Sequence, residues 1–295
     1  MGSLTQPKLP VIDLSSESLN LNSSSWVTKC EEIRSALEEY GCFIALYDGV
    51  SRELRDTTFL LSKELFNLPT EIKALNITET PYHGYIGQEP LVPLYETLGI
   101  EDVTTTQGAN SFTKLMWPSG NQSFSESVVM YSNAVAELDH IVLKMVAESY
   151  GIEEPYESMR GSTAYVLKPT KYLRPQSNEK MLGVLPHTDK SFMTYLQQDE
   201  VNGLEIKAKD GEWIEAWTNG RIEAPTHRVM VTGDKERYVM GLFTSIRDHI
   251  IQVPQQLVDE DHPLQFRAFD NYKYMHFYYT KGIYSQCPIK TYCGV

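Results

Sequence analysis

The sequence predicts an α+β fold, on three observations. Apolar residues recur at helical spacing through the first half, ending in a long periodic stretch from Ser123 to Tyr150. From Thr163 the pattern changes to short runs rich in β-branched and aromatic residues. A last helical stretch covers Phe266 to Tyr279. Helices, then strands, then a helix is an α+β order. The expected division is a mainly helical region over 1–155 and a β region with its closing helix over 156–295.

Taken in order, Trp26, Cys30, Ile33 and Leu37 mark an amphipathic helix between Ser25 and Tyr40, after a serine-rich cap and before Gly41. Cys42 to Tyr47 reads as a short strand, and Ser51 to Asn67 as a second helix stopped by Pro69. Residues 80 to 122 show no sustained period, carry Pro81, Pro90, Pro93 and Pro118, and are aromatic. A loop of that length usually covers a site, although surface packing explains it equally well. Tyr82, His83, Tyr95, Phe112 and Trp117 are candidates for a substrate mouth. In the long helix the stripe Val128, Val135, Leu138, Ile141, Val142, Met145 reads as core, and Gly151 ends it. Leu204 to Ile214 reads as a hairpin around Asp210-Gly211.

With 295 residues and 41% hydrophobic composition the chain can bury a full core, as one large domain or two closely packed ones. A net charge of −13 repels phosphate backbones, so nucleic acid is not an expected partner. Cys30, Cys42, Cys287 and Cys293 have no CxxC spacing, and the N-terminus has no apolar signal region. Met1-Gly2-Ser-Leu-Thr-Gln6 misses the myristoylation pattern at Gln6. Asn22, Asn76 and Asn121 lie in glycosylation sequons, which carry no meaning without secretion. No run approaches the length that spans a membrane. The expectation is a monomeric cytoplasmic protein with reduced thiols and no membrane partner.

The chemistry concentrates in Val184-Leu-Pro-His187-Thr-Asp189 and Pro225-Thr-His227. Residues 191 to 196 read as a strand running on from His187 and Asp189, so these two point to one face. A second imidazole from a distant strand completes a 2-His-1-carboxylate set, which suits Fe(II) with open positions. By the same parity Met193 and Tyr195 are expected to line that cavity. His-x-Asp alone is a weak signal. Ten residues after His227 stands Arg237, in what reads as a hairpin closed by Gly233-Asp234-Lys235, with His227 opposite Gly241 and Arg237 on the His227 face. Guanidinium binds carboxylate in a charge-assisted fork, as a dicarboxylate co-substrate requires. A surface arginine is the plainer reading of the hairpin by itself; the combination points to a site. His83, His140, His249, His262 and His276 lack ligand spacing and read as structural or solvated.

With these motifs the chain resembles the plant-type iron(II)- and 2-oxoglutarate-dependent dioxygenases over nearly its whole length. Leu9-Pro-Val-Ile-Asp-Leu14, Tyr40-Gly-Cys-Phe-Ile44 and Asn219-Gly-Arg221 are similar to family signatures. Pro81-Tyr-His-Gly-Tyr85, Val92-Pro-Leu-Tyr-Glu96, Leu115-Met-Trp-Pro118 and Lys290-Thr-Tyr-Cys-Gly-Val295 are similar to the AOP-like subgroup of specialised metabolism. The resemblance implies a double-stranded β-helix (jelly roll) over roughly 160–265, wrapped by N-terminal helices and closed by a C-terminal helix. It implies Fe(II) on His187, Asp189 and His227, 2-oxoglutarate opposite Arg237, and Tyr172 helping to hold that co-substrate. A core tyrosine is an equally good reading of Tyr172. The reaction implied is hydroxylation or desaturation of a small molecule with O2, releasing succinate and carbon dioxide, with ascorbate as reductant.

Two departures from the family matter. Where it usually carries Arg-x-Ser, this chain has Arg237-Tyr238-Val239, one hydroxyl fewer for the co-substrate carboxylate. That loss is worth roughly 1.5 to 3 kcal/mol. Trp213-Ile214 also runs almost directly into Ala216-Trp217, so a barrel strand is missing between Ile214 and Ala216. Removing it should unpair its neighbours, open a gap beside Trp213 and Trp217, and lower stability and turnover. A non-catalytic relative that binds a small molecule or partner is the competing reading, favoured by the missing strand and Val239, opposed by the three ligands and Arg237. A cupin-like storage protein is disfavoured, because storage needs no arginine.

Overall fold

The structure, a computed structural model, describes residues 9–19, 23–87, 89–176, 179–207, 216–282, 285 and 287–295. Strand β1 (Val11–Asp13) pairs in parallel with β2 (Ile44–Leu46), and α1 (Ser23–Tyr40) lies between them in the chain. Helix α1 buries Cys30, Ile33, Ala36 and Leu37. Then come α2 (Arg52–Phe66), whose Leu54 amide donates to the Ser51 hydroxyl at 3.1 Å, and α3 (Thr70–Lys73). Strands β3 (Tyr95–Thr97) and β4 (Ile100–Glu101) precede α4 (Thr106–Met116), α5 (Gln122–Tyr150) and α6 (Glu153–Arg160). Gly151 closes α5 in the left-handed region at φ +67°, where a side chain would be strained.

Helix α4 corrects the expectation of no periodic structure over 80–122. Its apolar face is only Ala109, Phe112 and Met116, and the prolines around it dilute that short signal. Thr105 caps it, accepting from the Gly108 amide at 3.0 Å.

The jelly roll consists of β5 (Thr163–Tyr172), β6 (Met181–His187), β7 (Thr194–Gln198), β8 (Leu204–Lys207), β9 (Thr226–Val231) and β10 (Arg237–Ile246). One sheet has the order β3-β5-β10-β7, with β4 also on β5; the other has the order β6-β9-β8. Strands β11 (Ile250–Ile251) and β12 (Phe269–Asp270) pair beyond it, followed by α7 (Asn271–Thr280) and α8 (Pro288–Cys293). The closing helix starts at Asn271, not Phe266, because Asp270 caps it by accepting the Lys273 amide at 3.0 Å while Phe266 bridges to Gly294. The second half of the expected hairpin over Leu204 to Ile214 lies outside the described residues.

Two further expectations need correction. Strands β9 and β10 do not form a hairpin: β9 pairs with β6 and β8, and β10 with β5 and β7. The turn at Gly233, φ +86°, carries the chain from one sheet to the other. Strand β10 is buried along nearly its whole length, as a central strand is, and β5 matches its ten residues whereas β9 has six. Nor does one strand run from His187 to residue 196. His187 ends β6, Asp189 lies in the connection between the sheets, and β7 starts afresh at Thr194. Parity therefore does not carry across. The Tyr195 ring lies on the Leu242 face and packs with the α5 side of the sheet, yet Tyr195 and Met193 both line the cavity that reaches Asp189, as expected.

There Tyr195 faces Asp139, a fully buried carboxylate on α5. The Tyr165 hydroxyl donates to Asp139 at 2.9 Å, while the other Asp139 oxygen and the Tyr195 hydroxyl close no hydrogen bond. Burial pushes the Asp139 carboxyl up to about 7. A raised folded-state value favours folding below the ordinary value of 3.8, and that stability is lost as pH rises through about 7. Full ionisation costs on the order of a few kcal/mol. Asp139→Asn keeps an acceptor for Tyr165 and removes the titration, so its Tm should exceed wild type by several degrees at pH 8 and by clearly less at pH 5. A Tm difference that is the same at both pH values would show that Asp139 does not titrate in this window.

Candidate metal and co-substrate site

His187 and His227 are Cα partners across β6 and β9. Register shifts after Leu182 and Val184 mark irregular pairing along β6, which re-aims side chains at its end. The His187 Nδ1 lies 2.8 Å from the Leu185 carbonyl and the His227 Nδ1 3.2 Å from that of Pro225. A carbonyl only accepts, so each Nδ1 carries a proton and each Nε2 is the ring atom left to face the site. Both Nε2 atoms face Asp189 Oδ1, at 3.6 and 3.7 Å, and the two ring centroids are 4.3 Å apart.

One ligating atom from each of His187, Asp189 and His227 lies within 4.8 Å of the others. The 3.6 to 3.7 Å separations are too long for hydrogen bonds, and the three atoms lie close enough together to reach for one shared cation. Burial pushes the Asp189 carboxyl up, but contact with His187 and the charges of both imidazoles outweigh it, leaving the group well below the usual carboxylate range. Burial lowers His227; for His187 the pull of Asp189 exceeds the burial effect and raises it. The pocket holds its carboxylate ionised, as a ligand to a cation must be.

Deeper in the barrel, Arg237 opens β10 opposite Tyr172 at the end of β5. Its Cζ lies 5.0 Å from the Tyr172 ring centre. Nε donates to the Val201 carbonyl at 3.2 Å and Nη2 to Gln198 Oε1 at 3.1 Å. Arg237 is 3% exposed, and among the described residues no carboxylate lies within ion-pairing distance of it. A buried guanidinium with only neutral partners is costly, and a bound carboxylate relieves that cost. This is the observation that fits 2-oxoglutarate to the pocket. Val239 follows on the same face, opposite Thr170, whose hydroxyl is engaged with Thr97 at 3.0 Å.

The sequence candidates separate accordingly. Tyr95 packs on Tyr172 at 5.6 Å, and Tyr82 stacks on Tyr279 at 4.5 Å, neither of them lining the cavity that reaches Asp189. His83 pairs with Glu101 at 2.9 Å, while Phe112 and Trp117 pack on Phe124 in the helical core. Sequence reasoning missed Gln198, whose place beside Arg237 depends on the β7–β10 register and has no local signature.

Residues 9–114 match the family described as non-haem dioxygenase in morphine synthesis, N-terminal, and residues 164–246 match the 2OG-Fe(II) oxygenase superfamily. Over 93% of its length the chain is 39% identical to the probable 2-oxoglutarate-dependent dioxygenase AOP1.2 of Arabidopsis thaliana, covering 92% of that protein. The chain belongs to the 2-oxoglutarate- and Fe(II)-dependent dioxygenases. This dioxygenase is also 30% identical to the Arabidopsis 2-oxoglutarate-dependent dioxygenase AOP3, over 100% of this chain and 99% of the relative. Its structure superposes on the dioxygenase for auxin oxidation from rice with a TM-score of 0.80 at 25% identity, covering 98% of this chain and 100% of the other. The Arabidopsis enzyme of that name, bound to 2-oxoglutarate, gives 0.77 at 28% identity, over 87% and 100%. Like its family, the dioxygenase uses Fe(II), 2-oxoglutarate and O2 to oxidise a small molecule. Among its described residues no helix is long and apolar enough to cross a membrane.

The alignment with AOP1.2 runs over 299 positions for 93% of a 295-residue chain, so the relative carries residues with no counterpart here. Among the described residues six strands form the barrel, three on each side, with β3 and β4 extending one sheet and β7 and β8 at the edges. Beside β7 lies a cavity of about 670 Å³, lined by Phe43, Tyr47, Tyr131 and Leu196 and reaching Asp189 and Arg237. Trp217 does not border it: the ring is 2% exposed and packs edge-on against Phe192 at 5.5 Å, contrary to the expected opening at that residue. Trp213 lies outside the described residues.

Gly203 allows Arg237 to lie where it does. A Cβ there would stand 2.8 Å from the Met230 carbonyl and 3.1 Å from Arg237 Cδ and Nε. Gly203→Ala should lower Tm by a few degrees and weaken 2-oxoglutarate binding severalfold without changing metal content, as read by thermal melting, titration and metal analysis.

Proposed function

We propose that His187, Asp189 and His227 hold the Fe(II), that Arg237 with Tyr172 holds the far carboxylate of 2-oxoglutarate, and that the enzyme hydroxylates or desaturates a small specialised metabolite. The carrying observation is the buried, anion-free guanidinium of Arg237 on the barrel wall beyond a three-residue ligand set. Fe(II), when bound, supplies the activation of O2 at the expense of 2-oxoglutarate, which leaves as succinate and carbon dioxide. The chain's own residues prepare for that. The Leu185 and Pro225 carbonyls hold both imidazoles in the tautomer that presents Nε2. Gln198 and the Val201 carbonyl aim the guanidinium, and the Tyr172 ring covers it from water. In this reading residues 1–155 brace the barrel and 156–295 carry the chemistry. The net charge of −13 disfavours phosphate-backbone partners, and we read the protein as a cytoplasmic monomer.

The test is succinate formation by purified protein given Fe(II), 2-oxoglutarate and ascorbate, with and without a panel of small molecules. Metal-dependent succinate that rises with a substrate supports the reading; none under any condition supports binding without turnover. His187→Ala should abolish iron binding. Arg237→Ala should keep the metal and raise the 2-oxoglutarate dissociation constant about ten- to a hundredfold. If both variants lose metal equally, the role given to Arg237 is wrong.

The open β7 edge leads to a second expectation. Inserting a turn and an apolar strand of the family's kind between Ile214 and Ala216 should raise both Tm and turnover, because it pairs free backbone groups and shields the cavity beside the site. Unchanged values for both would mean that the short chain closes its barrel by itself.

A further inference from the structure

Lys168 lies on the same barrel face as Thr170 and Tyr172, opposite Gly241 on β10. Its Nζ donates to the Tyr82 carbonyl at 3.0 Å and stands 5.5 Å from the Phe243 ring centre. Among the described residues no carboxylate is within ion-pairing distance of it. Protein surrounds the ammonium deeply enough that burial pulls it down to about 8, with Asp189 pulling weakly the other way, yet the side chain is still half-open to water. A cation that is walled in, reachable and without an anion is a binding feature rather than a solvated surface charge.

The walls of this corner are flat and apolar. Gly241 has no side chain, and the Phe243 ring lies across it: a Cβ there would meet that ring at 2.7 Å and Leu196 at 3.1 Å. Tyr82 adopts φ +64°, uncommon for a residue other than glycine, and so turns its carbonyl to Lys168 while its ring stacks on Tyr279. Asp189 acts electrostatically on both the Lys168 ammonium and the Tyr279 hydroxyl, so this corner lies toward the His187, Asp189 and His227 side chains. Lys168 and Arg237 are set four residues apart along paired strands, about 13 Å by strand rise. A five-carbon diacid cannot span both. The two cations therefore serve two molecules.

We propose that Lys168 is the anion-binding residue for the substrate and that the enzyme acts on small organic acids with a flat apolar body, the acid group on Lys168 and the body on Phe243 and the Tyr82–Tyr279 stack. This rests on the oxygenase reading of the site, and its test reads binding instead of turnover. Dissociation constants are measured without oxygen, with Fe(II) and 2-oxoglutarate present, for phenylacetate and cinnamate and for their neutral amides. Wild type should bind each acid about tenfold or more tightly than its amide. Lys168→Gln, which keeps a donor for the Tyr82 carbonyl, should bring that ratio close to one, and Lys168→Arg should restore most of it. The 2-oxoglutarate constant should be unmoved in Lys168→Gln and raised in Arg237→Met. Wild type that binds acids and amides equally, or binds neither, overturns the proposal and leaves Lys168 as a clamp on the Tyr82 segment. So does a Lys168→Gln variant that retains the preference, or one that weakens 2-oxoglutarate as Arg237→Met does. Acid binding through Lys168 without succinate formation would sink the oxygenase reading alone; succinate formation without acid preference would sink only this assignment.

Discussion

Strand β10 is hydrogen-bonded on both sides, to β5 along all ten of its residues and to β7 along half of them. From that double pairing follow the positions that matter. Arg237 comes to stand opposite Tyr172, Val239 between Thr170 and Gln198, and Gly241 between Lys168 and Leu196. A one-residue slip would send the guanidinium to the helix side of the sheet, where Tyr238 and Met240 now fill an apolar core. The pairing is long and buried, so the register around Arg237 is well held.

The other sheet is less secure. It carries both imidazoles, but its three strands are short and its pairing along β6 is irregular. What anchors the approach to His227 is the Asn219-Gly220-Arg221 turn. Asn219, at φ +54°, accepts from the Gln265 amide at 2.9 Å and donates to the Leu257 carbonyl at 3.1 Å, and Arg221 reaches that same carbonyl at 2.9 Å. These bonds tie the segment before β9 to the chain after the barrel. Among the described residues β7 is an edge strand, and its outer edge faces a cavity. Such an edge is both a stability liability and an opening for water.

The site residues were legible because each belongs to a local string: His187-x-Asp189, His227 and an arginine ten residues later need no tertiary information to be noticed. Their convergence nevertheless has a different cause from the one the local pattern suggests. Strand parity does not bring His187 and Asp189 together, and no hairpin puts Arg237 beside His227; the connection between two sheets does the first, and sheet-to-sheet packing the second. Gln198 and Lys168 escaped notice for the same reason. A glutamine and a lysine in β strands are unremarked until the register shows which face they share and what they face.

The sequence by itself determined the α+β order, the long α5 helix ended by Gly151, the candidate ligand types and the arginine, because periodicity, turn chemistry and short motifs are local properties. Only the tertiary structure decided which strands pair, that the Tyr195 hydroxyl turns to Asp139, that Trp217 is sealed while β7 is an edge strand among the described residues, and that Lys168 and Arg237 stand at opposite ends of one barrel face without a carboxylate partner among those residues. Those outcomes depend on long-range pairing and on how two sheets divide the buried surface between them. No window of neighbouring residues contains that information.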